Sequence, residues 1–293
     1  MIAKALGLAR TCGRVSRLGS TLALTGVLLS PLAARADESE VHYHTCLSHK
    51  KAGKLVEAER ECKLAIDKRT TNVSARYTLG TIQRQTGQLD QALASFKLVR
   101  ELEAKNAMGW AGEGAVLLRM DKIDEAVVAL RQAVALDPRD VTSVGNLGNA
   151  LRKQKKPEEA IITYKKALAA NPDNVDILNN LAVAYRGLGR NNEAIETLKK
   201  ALAKKPGDGP MSGNLGKSLR AEKRYAEAVP YYETAVKADA TDPGLWFDLA
   251  YSYEQTQQKA KALDAYKRNL ALIRGKDPKA EEYVEELIRK LGG

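Results

Sequence analysis

The chain repeats itself every 34 residues. NLGNALR at 146–152 is answered by NLAVAYR at 180–186 and by NLGKSLR at 214–220. A fixed period constrains the fold more than any composition, because each copy must form the same local unit and stack on the next. With the small residue of the heptapeptide set as position 8, the frame extends both ways without an insertion. It defines seven units: 39–72, 73–106, 107–140, 141–174, 175–208, 209–242 and 243–276. Position 8 reads Cys46, Gly80, Gly114, Gly148, Ala182, Gly216 and Ala250, and position 20 is alanine in every unit, from Ala58 to Ala262. Position 24 is bulky in six units: Phe96, Leu130, Tyr164, Leu198, Tyr232 and Tyr266.

Positions 4, 7, 8 and 11 recur at helical spacing, as in Trp246, Leu249, Ala250 and Tyr253, and form one apolar face of a first helix. Positions 20, 24, 27 and 28 do the same for a second helix. Between them lie turn signals (Gly53, Gly87, Gly189 or Lys-Lys-Pro), and Pro138, Pro172 and Pro206 end three of the second helices. Each unit is therefore a helical hairpin. Small residues at 8 and 20 allow close backbone approach, and the bulky residue at 24 is expected to fill the wider gap between hairpins.

Trp246, Leu249, Ala250, Tyr253, Ala262 and Tyr266 resemble the W-x2-L-[GA]-x2-Y, A and F/Y pattern of the tetratricopeptide repeat family over residues 39–276. The resemblance implies an all-α, right-handed α-solenoid of seven repeats that binds protein partners without catalysis. Repeat 1 departs most, with His42, Cys46, His49 and Cys62 at positions 4, 8, 11 and 24. Residues 277–293 form a one-sided apolar stripe, Ala280, Val284, Leu287, Ile288 and Leu291, expected to be a capping helix over the last repeat.

Residues 1–36 carry five cations (Lys4, Arg10, Arg14, Arg17, Arg35) and no acidic residue, and the apolar run TLALTGVLLSPLAA precedes Ala34-Arg35-Ala36. This reads as a secretory signal peptide cleaved after Ala36, with a mitochondrial transit peptide as the other reading; the run is too short for a membrane span. Export to the periplasm is expected. Cleavage would lower the net charge from +11 to +6, a balance that suits solubility and weakly acidic partners. Nucleic acid is not expected, since no aromatic platform is interleaved with the cations.

No catalytic constellation, phosphate loop or cofactor motif is evident, so a non-catalytic protein is expected. In VHYHTCLSH, His42, Cys46 and His49 share one helical face and Cys62 lies on the partner helix. Three readings stand: a Cys46–Cys62 disulfide, buried free thiols, or a zinc or copper site with His42 and His49.

Positions 6 and 12 are left over after packing, and in this family such positions line the concave surface. Asn146, Asn180 and Asn214 form one ladder, and Arg84, Arg152, Arg186 and Arg220 form another. Amides can grip an extended peptide backbone, and arginines can select carboxylates. Arrays of this family, including the one preceding O-linked N-acetylglucosamine transferases, use asparagine ladders in this way; the catalytic part of those enzymes is absent here. A basic stripe at the turns, RKQKK at 152–156, RGLGR at 186–190 and RAEKR at 220–224, offers a rim for an acidic protein or anionic lipid. The expected function is a scaffold holding an extended partner segment in its groove, in cell-envelope assembly. The other reading is an assembly subunit that acts through its outer faces and ends.

Overall fold

The computed structural model describes residues 31–292, with side chains from residue 38, as fifteen α-helices and no strand among the described residues. The helices pair as hairpins: α1 (Pro31–Lys51) with α2 (Leu55–Lys68), α3 (Val73–Gln85) with α4 (Leu89–Leu102), and α5 (Ala107–Arg119) with α6 (Ile123–Leu136). Then follow α7 (Val141–Lys153) with α8 (Pro157–Ala170), α9 (Val175–Gly187) with α10 (Asn191–Lys204), α11 (Gly209–Ala221) with α12 (Tyr225–Ala238), and α13 (Pro243–Gln255) with α14 (Lys259–Ile273). The last helix is α15 (Pro278–Lys290). Most of the expected signal segment lies outside the described residues.

The start of each first helix from α3 to α13 has a cause that the prolines do not reveal. Asn72, Asn106, Asp140, Asn174, Asp208 and Asp242 stand at position 34, and each side chain accepts a hydrogen bond from an amide of the next helix's first turn. That satisfies a donor the helix cannot satisfy itself. The end of each first helix is equally regular. Position 15 has positive φ in all seven hairpins: glycine at 53, 87 and 189, but Asp121, Lys155, Lys223 and Gln257 elsewhere. The following amide returns to the carbonyl of position 11, as in Lys122 to Leu117, Lys156 to Leu151 and Arg224 to Leu219, so a left-handed residue ends the helix.

The bulky residue at position 24 does not sit only where expected. A Cβ on Gly148 would stand 2.1 Å from the Tyr164 ring, one on Gly114 2.5 Å from Leu130, and one on Gly216 2.8 Å from Tyr232. These partners belong to the same hairpin. Residue 24 therefore lies over the small residue at 8, and in these three hairpins its side chain occupies the volume that a Cβ at position 8 would need. Phe96 also reaches the next hairpin, where a Cβ on Gly112 would come within 2.3 Å of it. In repeat 1, the same two positions are Cys46 and Cys62, and their sulfurs are bonded in the structure, with Cα atoms 5.2 Å apart.

The apolar core is divided. Cys46, Ala58, Cys62, Ala65, Ile66, Ala75, Leu79 and Ile82 form a cluster separate from the core that runs from Ala92 to Ile288. The seam falls in repeat 2, where buried Gln83 replaces the usual apolar residue at position 11 and accepts a 2.7 Å hydrogen bond from Ser95. At the other end, α15 brings Val284 and Ile288 into the main core.

Each first helix touches the next first helix, from α1·α3 to α11·α13, whereas no two second helices touch among the described residues. The first helices are thus the closer-spaced layer. Their free face is the inside of the curve.

Candidate functional site

Positions 6 and 12 lie on this inner face and interlock across repeats. Arg220 Nε stands 3.2 Å from Asp248 Oδ1, so position 12 of one repeat meets position 6 of the next. Arg186 makes the same connection, donating to Asn214 Oδ1 at 3.5 Å, and Asn214 Nδ2 donates to Asn179 Oδ1 at 2.9 Å. Asn180 lies against Gly145, which has no side chain to obstruct it. Burial, with the like charge of Arg152 adding, lowers the pKa of Arg186. Asp248 is buried and its carboxyl is raised above the usual range by desolvation, with Arg220 and Lys217 opposing. Tyr232 lies beside this pair, and burial raises its phenol. Arg220 also faces the Tyr251 ring at 5.9 Å. The last position-12 residue is Glu254, which accepts a 2.8 Å hydrogen bond from Tyr266.

The amino-terminal part of the groove differs. A cavity of about 420 Å³ opens on the inner face of α5. Its floor is Ala111, Gly112 and Ala115, and Tyr77 and Phe96 form a wall. Arg84 and Asn146 meet there from repeats 2 and 4, and Met108, half exposed, makes a lip. Of the seven expected groove residues, these two alone line it. Arg152, Arg186 and Arg220 instead continue the groove toward α13.

The sequence reading missed four participants, three of which the period could have supplied. Lys50 and Glu254 are at position 12 and Asp248 is at position 6, as counting in steps of 34 shows. Lys50 stands close to Arg84, and burial followed by that like charge lowers its pKa. The hollow at Ala111, Gly112 and Ala115, positions 5, 6 and 9, is the fourth: it is a signal of missing side chains, and only the surrounding walls make it a cavity.

In repeat 1, His42 Nδ1 is 2.8 Å from Glu61 Oε2, which holds the Glu61 carboxyl below its usual value. His49 is half-buried on the same helix. Along the turns, the rim cations have local partners. Arg224 makes 2.7 and 2.8 Å contacts with Glu227, Arg190 pairs with Glu193 and stacks on Tyr185 at 4.7 Å, and Lys153 is 3.2 Å from Asp121. No helix among the described residues is long and apolar enough to cross a membrane.

An inner face of repeated polar residues, with caps and turns at a fixed period, defines a helical-repeat interaction scaffold. Tetratricopeptide repeat models match residues 73–106, 111–175, 151–215 and 214–281, and the chain belongs to the tetratricopeptide repeat family. No curated protein sequence matches it. Among solved structures, a tetratricopeptide repeat protein from Parabacteroides merdae is 18% identical with a TM-score of 0.63, over 88% of this chain and 100% of that one. PilW, described as a widely conserved type IV pilus biogenesis factor, is 18% identical with a TM-score of 0.63, over 71% and 96%. YrrB, described as a TPR protein with an unusual peptide-binding site, is 18% identical with a TM-score of 0.50, over 61% and 92%.

Proposed function

We propose that this scaffold holds an extended segment of a protein partner along its inner groove, as part of an exported assembly in the cell envelope. The carrying observation is the convergence of Arg84 and Asn146 on an open cavity at the level of α5. Asn180 and Arg152 continue the contact surface, while Asn214 and Arg220 are engaged by their cross-repeat partners and bound its carboxyl-terminal side. The partner is an acidic protein segment, since Lys50, Arg84, Arg152, Arg186 and Arg220 form a cationic line interrupted at Leu118 and ended by Glu254. A peptide-binding site in YrrB and a biogenesis role in PilW lend the reading general support. Export rests on the basic start, apolar run and Ala34-Arg35-Ala36 site. The Cys46–Cys62 bond suits the same oxidising compartment.

Photocrosslinkers at positions 111, 146 and 180, with controls at 128 and 162 on the outer helices, test this in envelope extract. Capture of a partner from the groove positions is expected. Capture from 128 and 162 alone would favour the second reading, an assembly subunit acting through its outer faces, for which the exposure of Val128 (63%) and Ile162 (66%) on α6 and α8 is the specific support. Recovery of envelope protein that still begins at Met1 would overturn the export reading.

A further inference from the structure

Phe96 explains why the cavity exists. Its ring fills the space in which Gly112 would carry a side chain, so α5 can present only a bare surface there, widened by Ala111 and Ala115. The corresponding positions hold Tyr77, Thr78 and Thr81 in the adjacent α3, Gly145, Asn146 and Asn149 in the adjacent α7, Asn179, Asn180 and Val183 in α9, and Phe247, Asp248 and Tyr251 in α13. Of these levels α5 alone carries nothing larger than a methyl group at all three.

The charges around it are unequal in what they have left to offer. Asp140 already accepts from the Thr142 and Ser143 amides at 3.1 Å, and Asp137 accepts from the Arg139 amide at 3.0 Å. Among the described residues, the guanidinium groups of Arg84 and Arg139 have no hydrogen-bond partner. The rim thus carries two cations and two carboxylates; Asp140 is engaged in capping its own helix, and the guanidinium groups of Arg84 and Arg139 are the charged donors there left without a partner among the described residues.

We infer that this hollow is the anchor point of the bound segment, taking one leucine- or phenylalanine-sized side chain whose adjoining carboxylate pairs with Arg84 and Arg139. The inference rests on the groove reading and adds a sequence preference to it. An apolar side chain in the hollow covers the Phe96 edge and the alanine methyls. A forked, charge-assisted pair then fixes its register along the groove. The polar ladders beyond it hold the backbone with little regard to side chains.

Fluorescein-labelled peptides of the form Ser-Gly-Ser-Thr-Leu-Asp-Ser-Gly-Ser, with Leu→Ala, Leu→Phe, Asp→Asn and Asp→Lys counterparts, titrated by anisotropy against the full protein, test the anchor. Leu and Phe peptides should bind roughly tenfold or more tightly than Ala, as burial of one such side chain implies. Asp should exceed Lys by a similar factor, and the Asp preference should shrink in Arg84→Gln and in high salt. Ala115→Leu, which fills the hollow, should abolish the Leu preference, and an unchanged melting curve would confirm that this variant is folded. Equal binding by all peptides, or none at about 1 mM, overturns the anchor. Partner capture from position 146 together with that result leaves the groove reading standing; no capture from any groove position removes both.

Discussion

The two halves of the groove are built from the same repeat and have opposite states of readiness. Toward the carboxyl terminus, Arg220 meets Asp248, Arg186 meets Asn214, and Asn214 meets Asn179, so the inner face is knitted to itself. Toward the amino terminus, the Arg84 guanidinium has no hydrogen-bond partner among the described residues, α5 presents only a glycine and two alanines at the critical level, and the apolar core beneath is split at Gln83 and Ser95. Regularity has been used on one side to bind repeats together. On the other it leaves surface free for a ligand. A repeated residue is therefore no guarantee of a repeated role: Arg220 faces a carboxylate at the next position 6 and Arg84 faces Gly112, which offers it nothing.

The largest way to break this comparison is at the amino-terminal end, where the small separate core has a covalent staple. Replacing Cys46 and Cys62 by serine, or adding reductant, should remove about 3 kcal/mol from repeat 1 by the chain-entropy relation, with hydrogen exchange rising in α1 to α3 and unchanged in α9 to α14. Uniform loss across all hairpins would show that the divided core is not an independent unit. Two free thiols by mass analysis, in protein purified without reductant, would remove the staple altogether.

The next contrast is between two arginines at the same repeat position. Arg220→Ala should destabilise by about 1–2 kcal/mol, because it strands a buried Asp248; partial exposure of the arginine keeps the loss below that of a fully buried pair. Arg84→Ala should change stability by less than about 0.5 kcal/mol and act on ligand binding instead. Denaturant midpoints of the two variants decide the matter, and equal losses would erase the distinction between the two halves.

A third test uses pH. Glu113, at position 7 where most repeats carry leucine, is buried 3.5 Å from Arg100, and desolvation raises its carboxyl above the usual value while Arg100 opposes. A carboxyl that holds its proton more tightly in the folded state makes the fold less stable as pH rises from the ordinary glutamate value through the raised folded one. Relative to Glu113→Gln, the parent should lose stability across that window and then level off, as denaturation at a series of pH values would record. A constant difference would mean that Arg100 compensates fully for burial.

The smallest expected effect concerns the turns. Lys155 holds a φ of 61° where Gly53, Gly87 and Gly189 occupy the same position, so Lys155→Gly should stabilise by about 0.5 kcal/mol, the relief of left-handed strain outweighing the added freedom of the unfolded chain. A melting temperature that falls would show that the lysine's own contacts matter more than the backbone.

Much of the molecule was legible because a 34-residue period turns a long-range problem into a local one. Helix positions, the small residues at 8 and 20, and the capping stripe of α15 could all be read from spacing, since each is determined within one hairpin or between adjacent ones. The cap residues at position 34 were equally readable and were overshadowed by the prolines beside them. The role of residue 24 was not readable, because the sequence does not say whether a ring turns toward its own glycine or toward the next hairpin; Phe96 does both. Nor was the separation of Arg84 from Arg220, which depends on what faces each guanidinium from the following repeat. By itself, the sequence determined which residues form helices and which positions remain for a partner. The tertiary structure alone decided which of those positions are already occupied by one another, because hydrogen bonding between repeats and the volume of one buried ring are properties of the stacked array rather than of any single unit.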